Sequence, residues 1–218
     1  MKKEIEIIVP TDWSAISLKT YMKLQRDLKN YEDTPEAYEP TLLYHICGIT
    51  PDIMSSLDSD TLNSIRKDLT SYMAKTEEYE LQRRVTIGDV EYGFEPNISQ
   101  MAYGAYLDIS KYESIQLDEN WTDILSILYR PIVKKSGALY EIEKYNGVEP
   151  WESDKWLSMG MDFHFGSFFF FSRLSQDLLN SIQKSTESQT GIPHNIKSIL
   201  VKSGKVMHQF QHSQKTTS

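Results

Sequence analysis

Hydrophobic and polar positions follow two rhythms along this chain, one helical and one strand-like. From Leu18 to Leu28, the residues Leu18, Tyr21, Met22, Leu24 and Leu28 fall on one side of a 3.6-residue period, with Lys19, Lys23, Arg26 and Asp27 on the other. The spacing predicts a helix packed on a core. Its entrance is Thr11-Asp12-Trp13-Ser14, with Ser14 or Ser17 able to cap the free N–H groups of the first turn. A turn through Asp33-Thr34-Pro35 leads to a second apolar helix, Tyr38 to Cys47, closed by Gly48, which tolerates the positive φ of a helix C-cap. Pro51 restarts structure, and Ser59 to Met73 repeats the helical period through Leu62, Ile65, Leu69 and Tyr72 after a cap at Asp58 or Ser59.

The period then shortens to two. Val85, Ile87, Val90, Tyr92 and Phe94 alternate around Gly88-Asp89, which predicts a β-hairpin. Glu4 to Val9 alternates in the same way before Pro10, predicting an edge strand able to pair with that hairpin. Helical spacing returns over Ser99 to Tyr112 and Asp118 to Tyr129, the latter stopped by Pro131. Leu139 to Glu143 reads as a short strand, Gly147 to Pro150 as a loop, and Glu152 to Ser185 as one long helix. Within that helix, Phe168 to Phe171 is apolar on every side, so it is expected at the centre of the core. Ser185 to Asn195 is a polar linker, followed by an amphipathic segment and a polar end from His212 that is expected to be disordered.

These elements predict an α+β fold, predominantly α-helical: a helical domain with a small antiparallel sheet (N-terminal strand plus β-hairpin) and a central Phe-rich helix. The expected organisation is a mainly helical body with a small β-hairpin over residues 1–188, then a linker, a basic amphipathic docking segment and a polar tail over 189–218. At 218 residues, 39% hydrophobic and 25% charged, one folded core is expected. The most apolar run, Phe163 to Phe171, is broken by His164 and Gly166 and falls short of the ~20 residues a membrane span needs. Nor does the broken, proline-stopped start of the chain read as a signal peptide.

Charge narrows the partners. A net charge of −8 with a pI near 5.2 argues against nucleic acid as the main partner, because phosphate neutralisation needs clustered Lys and Arg. The charge is also divided unevenly. From Gln189 onward the chain has Lys197, Lys202, Lys205 and Lys215 and no acid, so with +4 there and −8 overall the remainder carries −12. A basic amphipathic tail on an acidic body can fold back on that body, dock into a neighbouring subunit, or touch another acidic surface. Trp13, Tyr21, Ile196, Ile199, Leu200, Lys202, Lys205, Val206, Met207 and Phe210 are therefore the candidate partner-binding residues.

Catalytic chemistry finds little support. Asp162 and His164, with Asp154 nearby, suggest an acid–base pair or a metal site, yet residues two apart lie on different sides of a helix and no third ligand follows. His45 and Cys47 share that spacing, and the single cysteine reads more simply as a small apolar residue in a helix than as a reactive thiol. No Gly-x-Ser-x-Gly occurs, and Gly160 to Gly166 is not followed by the Lys of a phosphate loop. The expectation is no catalytic residue, no metal and no cofactor.

Four stretches carry a resemblance: Val9-Pro10-Thr11-Asp12-Trp13-Ser14-Ala15-Ile16-Ser17-Leu18-Lys19-Thr20-Tyr21, Val90 to Asn97, Ile124 to Pro131, and Gly160 to Gly166. In their order, from about Val9 to about Val206, the chain resembles structural-region proteins of crAss-like tailed bacteriophages that infect gut Bacteroidales. Its opening is also similar to small proteins labelled tail-assembly chaperones in other phages. The resemblance implies a non-enzymatic virion component at the tail or head–tail junction, of ring or connector type, made in the host cytoplasm and bound to other phage structural or tail proteins as a homo-oligomer. The alternative it implies is a tail-assembly chaperone not retained in the virion.

Overall fold

The computed structural model describes residues 7–73, 79–112, 115–117, 119–171 and 173. The fold is α+β and mainly helical, with a four-stranded antiparallel sheet. The chain divides into two compact units, Met1–Tyr79 with Leu157–His164 and Glu80–Trp156 with Phe165–Ser218, where length and composition suggested a single core. The expected body–tail boundary at 188/189 lies outside the described residues.

In the first unit Ser17, Gly48 and Asp58 act as the caps that spacing predicts, and Asp12 adds one that it does not. Asp12 accepts from the Ser14 N–H at 2.8 Å and fixes the single turn Trp13–Ala15. Ser17 Oγ accepts from the Thr20 N–H at 3.2 Å and starts helix α1, Leu18–Asn30. Helix α2, Tyr38–Cys47, ends at Gly48 with φ 69°, in the left-handed region where only glycine sits without cost. Helix α3, Pro51–Ser56, is short, and α4, Ser59–Met73, opens with the Asp58 carboxylate accepting from the Thr61 N–H at 2.8 Å. Leu18, Tyr21 and Leu24 of α1, Leu43 and Ile46 of α2, and Ile65 and Leu69 of α4 are buried. Each fully buried side chain of this kind stabilises by about 1.5–3 kcal/mol.

In the second unit, strands β1, Arg84–Ile87, and β2, Val90–Phe94, form the predicted hairpin, with Gly88 at φ 59° in its turn. The hairpin's next partner differs from expectation. It is β3, Tyr129–Ser136, paired as Tyr92↔Pro131 and Phe94↔Tyr129, whereas residues 7–9 are not in a strand and 1–6 lie outside the described residues. Ile8 is 73% exposed, while Tyr129 is buried with its ring 5.1 Å from Phe94, so the burial that drives pairing belongs to β3. Beyond a register irregularity between Ile132 and Lys134, β3 pairs with β4, Leu139–Ile142. The Tyr140 ring lies over Gly93, where an added Cβ would sit 2.5 Å from it, and the Tyr140 hydroxyl donates to the Phe94 carbonyl at 2.7 Å.

Helices α5, Tyr103–Ser110, and α6, Trp121–Leu128, are shorter than the periodicity suggested, and Tyr129 leaves α6 directly into β3 with Pro131 inside the strand. The expected helix from Glu152 is interrupted as well. Pro150–Ser158 is a 3-10 segment, Gly160 pairs as a bridge with Ser17, and α7 covers 161–171, with most of the rest up to Ser185 outside the described residues. The break is imposed by backbone contact: Leu18 N–H donates to Met159 O at 3.0 Å, Met161 N–H donates to Ile16 O at 2.8 Å, and a Cβ on Gly160 would meet Ser14 O at 2.6 Å. Phe168 and Phe171 of α7 are buried beside Trp121, with ring centroids 5.5 and 6.3 Å away, but Phe169 and Phe170 are only partly covered. Among the described residues no helix is long and apolar enough to cross a membrane.

Candidate functional site

The residues singled out by sequence fall into three groups. Ile196, Ile199, Leu200, Lys202, Lys205, Val206, Met207 and Phe210 lie outside the described residues. Tyr21 is a core residue, 6% exposed, and Trp13 is half-buried against it with ring centroids 6.1 Å apart and planes at 75°. Tyr21 therefore supports Trp13 from below and does not itself offer a surface.

The residues weighed for catalysis take different settings. His164 is fully buried with its ring 5.1 Å from Phe163, and Asp162 is partly exposed near Gly160. His45 Nε2 lies 2.7 Å from Asp27 Oδ2, which ties α2 to α1. Burial pushes the Cys47 thiol above its ordinary pKa, which makes it a poorer nucleophile than a free cysteine. Among the described residues no three His, Cys, Asp or Glu side chains gather as metal ligands.

The second unit holds polar contacts that no linear spacing announces. The Arg130 guanidinium is paired with Glu95, both side chains 11% exposed, and it lies 5.8 Å from the centre of the Tyr145 ring. Tyr145 in turn donates to Asp108, which Lys111 also reaches. Lys111 and Tyr145 hold the Asp108 carboxyl below the usual carboxylate range. Close by in sequence, Tyr112 donates to Asp123 at 2.9 Å, and burial together with that carboxylate pushes the phenol up to about 12. Ser153 donates to the other Asp123 oxygen, and the buried Trp156 Nε1–H donates to Ser126 Oγ at 2.8 Å. These contacts fasten the strandless stretch 143–149 and the 3-10 segment to α5 and α6.

What sequence reasoning missed is the set of large apolar side chains held in solvent by ordered elements. Tyr44 on α2 is 50% exposed, Tyr103 and Leu107 on α5 are 70% and 42%, and Val133 and Leu139 on the β3–β4 hairpin are 59% and 76%. One signal was readable: α2 and α5 are apolar on most sides, unlike the two-faced α1, and a helix of that kind is normally covered all round. Comparison of the chain with protein-family models, with curated proteins and with solved structures finds no match.

Proposed function

We propose that this chain is a non-enzymatic structural protein of a tailed-phage virion, placed at the tail or head–tail junction and acting through protein–protein contacts. The observation that carries this reading is the exposure of Tyr44, Tyr103, Leu107, Val133 and Leu139 on regular elements of both units. Rigid aromatic and aliphatic side chains projecting from helices and strands cost little entropy on docking and supply most of the energy of a protein interface. The phage resemblance of Val9 to Tyr21 and the three later stretches supplies the setting, and other structural or tail proteins, with further copies of the chain, are the proposed partners. The basic segment after Gln189 contributes charge for docking against an acidic neighbour.

The test is mass spectrometry of purified, DNA-filled virions, with the copy number of this chain measured against the portal protein. A fixed ratio supports a structural component. Absence from particles, with abundance in infected cells, replaces this reading by the assembly chaperone. A second measurement addresses the tail: removing Pro193 onward is expected to leave a folded body with a native circular dichroism spectrum that no longer assembles.

A further inference from the structure

We propose that the outer face of α2, around Pro40 and Tyr44, is the receptor for residues 196–210 of a second copy of this chain, so that copies join head to tail. The inference rests on the reading of the chain as an assembling structural protein and names the contact that assembly uses.

The face is apolar and uncovered. Helix α2 buries Thr41, Leu42, Leu43 and Ile46 on one side and turns Pro40 and Tyr44, one helical turn apart, outward on the other, with Tyr44 50% exposed, while Tyr38, 38% exposed, lies at the N-terminal end of the helix. Tyr31, at the end of α1 and 47% exposed, adds a third phenol at the α1–α2 connection.

Its surroundings are rich in acid, although the Arg66 guanidinium of α4 reaches Glu39 on α2. Between Asn30 and Ile65 there are seven carboxylates and no Lys or Arg, so this stretch alone holds −7 of the body's −12. Several of these acids have local work: Asp58 caps α4, Glu39 is paired with Arg66, and Asp52 and Asp60 lie in the first turns of helices, where the dipole favours them. Glu32 and Asp33 do not share that explanation, since they follow the C-terminal end of α1, where negative charge is disfavoured. The other exposed apolar helix face lacks this bias: Tyr103 to Tyr112 along α5 contains one acid, Asp108, and one base, Lys111, already paired.

The segment 196–210 is the complement in both respects. It carries Ile196, Ile199, Leu200, Val206, Met207 and Phe210 with Lys197, Lys202 and Lys205 and no acid. Apolar residues can cover the tyrosine rings, while the ammonium groups meet the carboxylates and ring faces. The 22 residues between Arg173 and Ile196 span at most about 75 Å, enough to seat the segment on an adjacent copy. Because face and segment are different surfaces, each copy offers one of each, and the contact propagates into a ring or a filament.

Full-length variants test this by complementation, followed by size-exclusion chromatography with light scattering after circular dichroism has confirmed folding. Tyr44→Lys disables the face, and Lys202→Glu with Lys205→Glu disables the segment. Each is expected to be monomeric alone, with self-association weakened about tenfold or more, and the two mixed are expected to form a single heterodimer. Glu32→Lys with Glu36→Lys added to the reversed segment should restore assembly, while Lys23→Glu on the exposed side of α1 should leave it unchanged. Monomeric wild-type protein, or a mixture that stays monomeric, overturns the proposal by pointing to the segment's own body or to no contact at all. Assembly lost on removal of Pro193 onward but intact in Tyr44→Lys also overturns it, and leaves the structural reading standing. Absence of the chain from virions has the opposite effect, because mixing still reports on the face.

Discussion

The two units solve the problem of a stable interior with different chemistry. The first packs mostly aliphatic side chains from α1, α2 and α4, and most of its polar contacts are helix caps and exposed ion pairs, with the partly buried His45–Asp27 contact as an exception. The second gathers Phe94, Trp121, Tyr129, Trp156, Phe168 and Phe171, and several of these bring a polar tip indoors. Tyr129 donates to Gln82 O at 2.7 Å and lies 3.1 Å from Ser167 Oγ, and Trp156 donates to Ser126. Aliphatic interiors accept exchange among shapes of equal volume, whereas a buried hydroxyl, indole or guanidinium must find its partner in one geometry. The first unit should therefore tolerate substitution and the second should resist it.

The ion pairs give the sharpest contrast. Glu95→Ala in the second unit strands the Arg130 charge away from water and is expected to cost about 3–5 kcal/mol in urea unfolding. Glu39→Ala in the first unit breaks a pair whose side chains are 47% and 43% exposed, and the same experiment should register roughly 0–1 kcal/mol. Equal losses would remove the distinction.

Next in size is Gly93→Ala, where the added carbon would press on the Tyr140 ring and on Ile142 at 2.9 Å, at an expected cost of about 1–3 kcal/mol. A double-mutant cycle checks the cause, since the penalty should shrink when Tyr140 is already Ala. If it persists, the strain lies in the strand backbone.

A smaller effect follows from alkali. The folded protein holds the Tyr112 phenol at about 12 against an ordinary value of 10.0, so the folded state prefers the neutral form. The stability this confers is complete below pH 10 and declines as the pH rises towards about 12. Phenolate absorbance during alkaline titration should show a fraction of tyrosines ionising late, and Tyr112→Phe should remove part of it. Smallest of all, Tyr44→Ala and Tyr103→Ala should each shift stability by no more than about 0.5 kcal/mol, because their exposed rings contribute to docking and not to the interior. A loss of several kcal/mol in thermal melts would make them core residues after all.

Short-range rules made much of this fold readable. Ser17, Gly48 and Asp58 were identifiable as helix boundaries because a cap is a contact between residues two to four apart. The hairpin at Gly88 was readable for the same reason. The partner of β2 was not, since choosing β3 over the N-terminal stretch depends on the Phe94–Tyr129 contact across the sheet. Gly160 inside a helical pattern was a visible warning, but its cause, the approach of Ser14 and Ser17, is set by tertiary structure. The candidate surface was half legible: Tyr21 went inside and Tyr44 outside, and only the apolar character of most sides of α2 distinguished them.

The bridge between Ser17 and Gly160 also has a consequence in time. A ribosome releases the chain from one end, and the first unit lacks its closing piece, Leu157–His164, long after Tyr79 has been made. Addition of the 77 residues between Tyr79 and Leu157 takes roughly 4–15 s at bacterial translation speeds. Until then α1 must keep the N–H of Leu18 waiting for Met159, with water as its substitute partner. The nascent chain is thus obliged to complete both units nearly together, and translation pauses before residue 157 would lengthen the interval in which the first unit stands open to proteases and chaperones.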